Sequence, residues 1–215
     1  MEEKSLRIGD LQMLFEICKE EYNEWKKYDI EIRSLQSLGK HYKFVSTEEG
    51  KIPGILFEEY KQEKKINEAK DRSKKSYTKC IIFLAIYLEA FIYDYGATRL
   101  GDTYMKKYLE RLDVVSKWKI IPKLATNNEI RYDNHKYGYL KEIISLRNSF
   151  VHNKTQDIKV ILGKKDEKKK RENELTLSTC FECLEFLISE IFRIDQDFSP
   201  LINNLDELRE IIETK

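Results

Sequence analysis

Proline and glycine are scarce in this chain, three and eight in 215 residues. With so few breakers, the periodic segments between them are long, which argues for helices and against a turn-rich β architecture. An excess of charge of one sign is also missing. Charged residues make up 36% of the chain, yet the net charge is only +1. Such a balance excludes a dedicated duplex-coating protein, which would be strongly basic, but it leaves room for a local basic cleft. Met1–Asp10 is charged and has no apolar centre, so no signal peptide is expected. The longest apolar run, Cys80–Leu88, stops at Glu89, short of the ~20 residues a membrane span needs. Four cysteines without a secretory signal read as reduced thiols in a cytoplasm, with Cys180-x-x-Cys183 inside an apolar helix as core. There is no internal repeat, glycine-rich phosphate loop, HExxH or acidic ladder for a divalent metal, so no cofactor or metal is expected.

What the chain has is helical periodicity. Leu11, Phe15, Cys18, Tyr22, Trp25, Ile32 and Leu35 keep a three/four spacing that predicts a long helix over about Asp10–Leu38, capped by Asp10 and stopped at Gly39. His41–Gly54 reads as a loop. A second helix is expected over about Ile55–Lys70, with a break at Asp71–Lys75. This divides the chain into an N-terminal helical extension, 1–70, packing on a helical domain, 71–215. Ser76–Leu100 is apolar around the whole wheel and is expected to be the central helix.

Gly101–Asp102 ends that helix and caps the next, about Thr103–Ser116, with Tyr104, Tyr108, Leu112 and Val115 in register. Trp118–Ala125 forms a short apolar segment, and Thr126–His135 is turn-rich, with His135 and His41 read as surface residues. Tyr137–His152 is the next helix. Asp157–Leu162 and Glu174–Leu177 are β-prone flanks of a highly charged run, Gly163–Asn173, so a small hairpin or a charged loop fits 157–177. A helix capped by Ser178 or Thr179 then runs to about Asp195, and Pro200 opens a last one through Glu213.

Two charges are stranded on apolar surfaces. Arg147 lies amid a stripe of Leu140, Ile143, Ile144, Phe150 and Val151, where a guanidinium needs a carboxylate, a phosphate or a water-filled cleft. Glu89 lies among Ile82, Ala85 and Tyr93. Pairing of the two is the economical expectation, and the alternative sets Glu89 at a polar edge against a lysine or water. Asn148 and His152, four apart, share one face. Arg147 and His152 would point roughly 140° apart on an unbroken helix, so either the helix ends before His152 or the site lies where two surfaces meet.

The stretch Leu146–Asn153, LRNSFVHN, resembles the R-x4-H signature of the HEPN-domain ribonucleases. Tyr87–Ile92 (YLEAFI) and Trp118–Leu124 (WKIIPKL) are similar to segments that precede LRN-x-x-VH in a bacterial HEPN-like subgroup. Together these cover about Ser73–Asn153. The resemblance implies an all-α HEPN-like bundle. It also implies a metal-independent endoribonuclease, a toxin or antiviral defence effector, cutting RNA by attack of a ribose 2′-OH.

His152 would be the base, Arg147 the donor to the phosphorane, and Asn148 would hold the phosphate or orient His152. Glu89 would aim the guanidinium. A homodimer with a shared cleft is implied, with an antitoxin or defence-system protein as a further partner. Lys154 and the run containing Lys168, Lys169 and Lys170 would contact the RNA backbone, the alternative for that run being a solvated loop. The reading from a different class is an inert HEPN-like helical module that binds a protein or nucleic acid. A plain helical scaffold carrying a chance motif is the third.

Overall fold

The computed structural model describes residues 8–37, 44–47, 50–53, 55–152, 175–198, 206, 208–210 and 212. Among the described residues the protein is all-α apart from one small hairpin. In chain order the elements are α1 (Ile8–Ser37), β1 (Phe44–Thr47), β2 (Gly50–Pro53), α2 (Ile55–Leu100) and a one-turn α3 (Asp102–Tyr104). A π-helical turn (Met105–Leu109), α4 (Val114–Thr126), α5 (His135–Val151) and α6 (Leu177–Ile194) follow. The stretch read as a loop contains the hairpin, in which β1 pairs antiparallel with β2 and Thr47 lies opposite Gly50. The second hairpin or charged loop, expected at 157–177, lies mostly outside the described residues. Of its end, Leu177 already belongs to α6, whose cap is Thr176 and not Ser178 or Thr179. Asp10 lies inside α1 and does not cap it.

The expected break at Asp71–Lys75 is absent. α2 runs unbroken for 46 residues. Asp-Arg-Ser-Lys-Lys is charged but contains neither glycine nor proline, so its backbone continues the helix while its side chains stay in water. The compact units accordingly do not divide at 70/71. One comprises Met1–Cys18 with Ile81–Lys215, the other Lys19–Cys80, and both α1 and α2 contribute to each. In the smaller unit, the halves of the two helices are tied by Lys79–Glu21 at 2.8 Å and by Arg72 over the Tyr28 ring.

The larger unit holds the main core. In α2, Ile81, Leu84, Leu88, Phe91, Ile92 and Tyr95 are buried at three/four spacing, but Ile86 is exposed, so this helix is not enclosed on every side. Part of Lys61–Leu100 is long and apolar enough to cross a membrane by length and composition, contrary to expectation. However, 56% of that window is buried inside the protein, as in the core helix of a folded domain. Gly101, at φ +90°, ends α2 in a conformation only glycine adopts cheaply.

Beyond it, the register expected for Thr103–Ser116 fails. Met105 and Leu109 are buried, whereas Tyr104 and Tyr108 face solvent. The π-turn and a break before Asp113 divide that stretch, and Asp113 caps α4 by accepting from the Ser116 N–H. The backbone of Gly96 lies so close to Met105 that an added Cβ would sit 2.6 Å from its Sδ, so a larger residue there would require the Met105 thioether to shift. α4 docks on α2 through Trp118, whose ring stacks 5.7 Å from Phe91 and whose Nε1 donates to the Leu88 carbonyl at 3.1 Å. That pair satisfies the indole while burying it.

α6 supplies the most continuous apolar face, with Cys180 and Cys183 in the core as their surroundings suggested. Burial pushes both thiols well above the usual range. Two carboxylates of this region act as clasps. Glu190 is buried and accepts from the Arg131 and Arg193 guanidiniums and from the Arg131 backbone N–H, fixing the α4–α5 loop. Asp195, at the end of α6, accepts two bonds from Arg99 at 2.7 Å and one from the Tyr95 hydroxyl. The last predicted helix, from Pro200, falls partly outside the described residues, of which Asp206, Leu208–Glu210 and Ile212 are helical.

Candidate active site

α5 begins at His135, capped by Asn134, and carries the motif in its last turns. Its apolar stripe is core only in part. Leu140 and Ile143 are buried, but Val151 is 53% exposed. The chain leaves helical geometry at His152 (φ −106°, ψ 41°), whose N–H donates to the Asn148 carbonyl as the cap. Of the two possibilities raised by the spacing, the helix thus ends at the histidine. Asn148 and His152 are both exposed. Among the described residues, no side chain bonds the amide of Asn148 or the ring of His152, so both are free to meet a solute.

Arg147 meets Glu89. One terminal guanidinium nitrogen lies 3.2 Å from Glu89 Oε2, joining α5 to α2. The expected environment of the glutamate needs correction, because its side chain is 40% exposed and stands at the edge of the core. The buried charge is instead Lys117, 5% exposed, whose Nζ lies 3.3 Å from Glu89 Oε1. One carboxylate therefore bridges two cations, and both anticipated partners, the arginine and a lysine, are present together.

Lys117 was not singled out from the sequence, although the signal was there. It occupies the buried face of α4 with Val114, Trp118, Ile121 and Pro122, spaced three and four apart. The Nε of Arg147 is buried and has no hydrogen-bond partner. Lys154, Lys168, Lys169, Lys170 and His41 lie outside the described residues. His135 is exposed, beside Tyr139. Among the described residues no group of three or more His, Cys, Asp or Glu side chains could hold a metal ion.

Comparison with family models, curated proteins and solved structures finds no match. The chemistry must therefore be read from the groups themselves. One carboxylate between two cations leaves a surplus positive charge. Glu89 engages one terminal nitrogen of the Arg147 fork, and a guanidinium suits phosphate in particular. An imidazole exposed at a helix end can act as a proton acceptor.

Replacing Glu89 by Ala would leave Lys117 buried without its partner. Because the carboxylate is partly solvated, the cost falls below that of a fully buried pair, at about 2 kcal/mol. For a chain of this size, Tm should drop by roughly 4–8 °C. Thermal unfolding of Glu89→Ala at the wild-type Tm would show that the carboxylate does not hold the two cations.

Proposed function

We propose that this chain is a metal-independent endoribonuclease that cuts RNA through its own 2′-OH. His152 takes the proton of the 2′-OH, and the oxygen attacks the adjacent phosphorus. The P–O5′ bond breaks, leaving a 2′,3′-cyclic phosphate and a 5′-OH, the departing oxygen taking up a proton from water. Arg147 and Asn148 donate to the phosphate oxygens as charge builds on them.

The observation that carries this reading is the last turn of α5. There an arginine held by a carboxylate is followed by an asparagine and a histidine that face solvent where the helix ends. The resemblance of LRNSFVHN to the HEPN ribonucleases agrees with it and adds a homodimer in which two such turns share a cleft. A toxin or antiviral effector is the role that fits an activity of this kind, with an antitoxin or defence-system protein holding it in check.

Expression in a bacterial host tests this reading. Wild type should arrest growth with loss of intact cellular RNA, and His152→Ala at equal abundance should not. Equal growth and intact RNA with both would remove the nuclease and leave a helical binding module in its place.

A further inference from the structure

We propose that Lys117 is a positioning residue for this site, acting on Arg147 through Glu89. The consequence for cleavage rests on the ribonuclease reading, but the positioning does not. Of the three charged groups, Lys117 is the one fixed in place. Its side chain is 5% exposed, its helix is capped by Asp113, and its neighbour Trp118 is locked to α2 by the Phe91 stack and the Leu88 carbonyl.

Leu88 and Glu89 are consecutive on α2, as Trp118 and Lys117 are on α4. The bonds Trp118–Leu88 and Lys117–Glu89 thus form side by side across one helix contact. Glu89, by contrast, is 40% exposed and would move among rotamers if untethered. With Oε1 held by Lys117, Oε2 is presented to Arg147 at 3.2 Å. Arg147 has no other side-chain partner among the described residues, and its Nε makes no bond at all. Its orientation therefore depends on where Glu89 points.

Charge leads to the same role. Without Lys117, Glu89 would neutralise Arg147 fully. With it, the cluster keeps one positive charge, and Arg147 can share its donors with a phosphate. A buried ammonium placed behind the carboxylate thus keeps donors of Arg147 for the charge that builds on the phosphate in the transition state, without touching it.

The test uses the full chain with Lys117→Met and, as a second neutral replacement, Lys117→Gln, each verified as folded by circular dichroism. The Nε–Hε signal of Arg147, assigned by its disappearance in Arg147→Lys, is followed by nuclear magnetic resonance. In the folded Lys117 variants it should shift or broaden relative to wild type. With single-stranded RNA, kcat should fall about 10-fold to 100-fold while KM stays within about twofold, as for a misaligned donor. Adding Lys117→Met to Glu89→Gln should cost nothing further, because the connecting carboxylate is already gone.

An unmoved Arg147 signal, an unchanged kcat, or additive losses in the double variant would overturn the proposal. If wild type cleaves no RNA, the ribonuclease reading fails, and the resonance alone decides whether Lys117 positions Arg147.

Discussion

His152→Ala should reduce RNA cleavage by about 10²-fold to 10⁴-fold while leaving the fold intact. The size of the effect follows from the role. Without a base, the 2′-OH stays protonated at neutral pH, and the arginine can stabilise only a transition state that is seldom reached. The small structural cost follows from position. His152 lies beyond the last residue of α5, its side chain is exposed, and its capping bond to Asn148 uses the backbone N–H, which alanine retains. Loss of cleavage with an unchanged Tm is the expected pair of results. Full activity in the alanine variant would assign the base elsewhere. Arg147→Ala should also lose activity, but it removes the α5–α2 ion pair as well and so mixes chemistry with stability.

The largest stability effect is expected at Glu190. Burial alone would raise its pKa, but hydrogen bonds from Arg193 and Arg131 outweigh that and hold the carboxyl down at about 2. A group whose pKa is depressed on folding contributes stability above its unfolded value. It loses that contribution as pH falls toward the folded value. For Glu190 the window runs from about 4.5 down to about 2, and the contribution lost is about 3 kcal/mol.

Glu190→Ala would remove the carboxylate that clasps two partly exposed guanidiniums and release the backbone N–H of Arg131. The expected cost is about 3 kcal/mol, or roughly 6–12 °C in Tm. Glu190→Gln should be less stable than wild type at pH 7 and should lack the component of acid sensitivity between pH 4.5 and 2. Wild-type stability that is flat across that window would contradict the assignment.

The expectations from sequence succeeded where a residue's surroundings could be read from its own helix. Glu89 and Arg147 were each a lone charge on an apolar surface, and the two meet at 3.2 Å. Helical spacing likewise located α1, α5 and α6 to within a few residues. Failures arose where a lone charge was passed over or the backbone is irregular. Glu190, buried on α6 between Leu187 and Ile191, carries the same local signal as Glu89, and it holds Arg131 from 59 positions away. The π-turn shifted the register, burying Met105 and Leu109 where the tyrosines were expected. The run at Asp71–Lys75 reads as a boundary by its charge density, but charge without glycine or proline does not end a helix. Lys117, beside a tryptophan, reads as an exposed residue unless the buried face of α4 is traced through it.

The central claim is that this helix end cuts RNA with the substrate's own 2′-OH. Its most direct test incubates purified wild-type protein with a single-stranded RNA in excess EDTA and analyses the product ends. Fragments bearing 2′,3′-cyclic phosphate and 5′-OH, absent with His152→Ala and absent when the substrate is DNA, are the predicted result. Cleavage that requires magnesium, leaves 5′-phosphates, or continues unchanged in His152→Ala would contradict it.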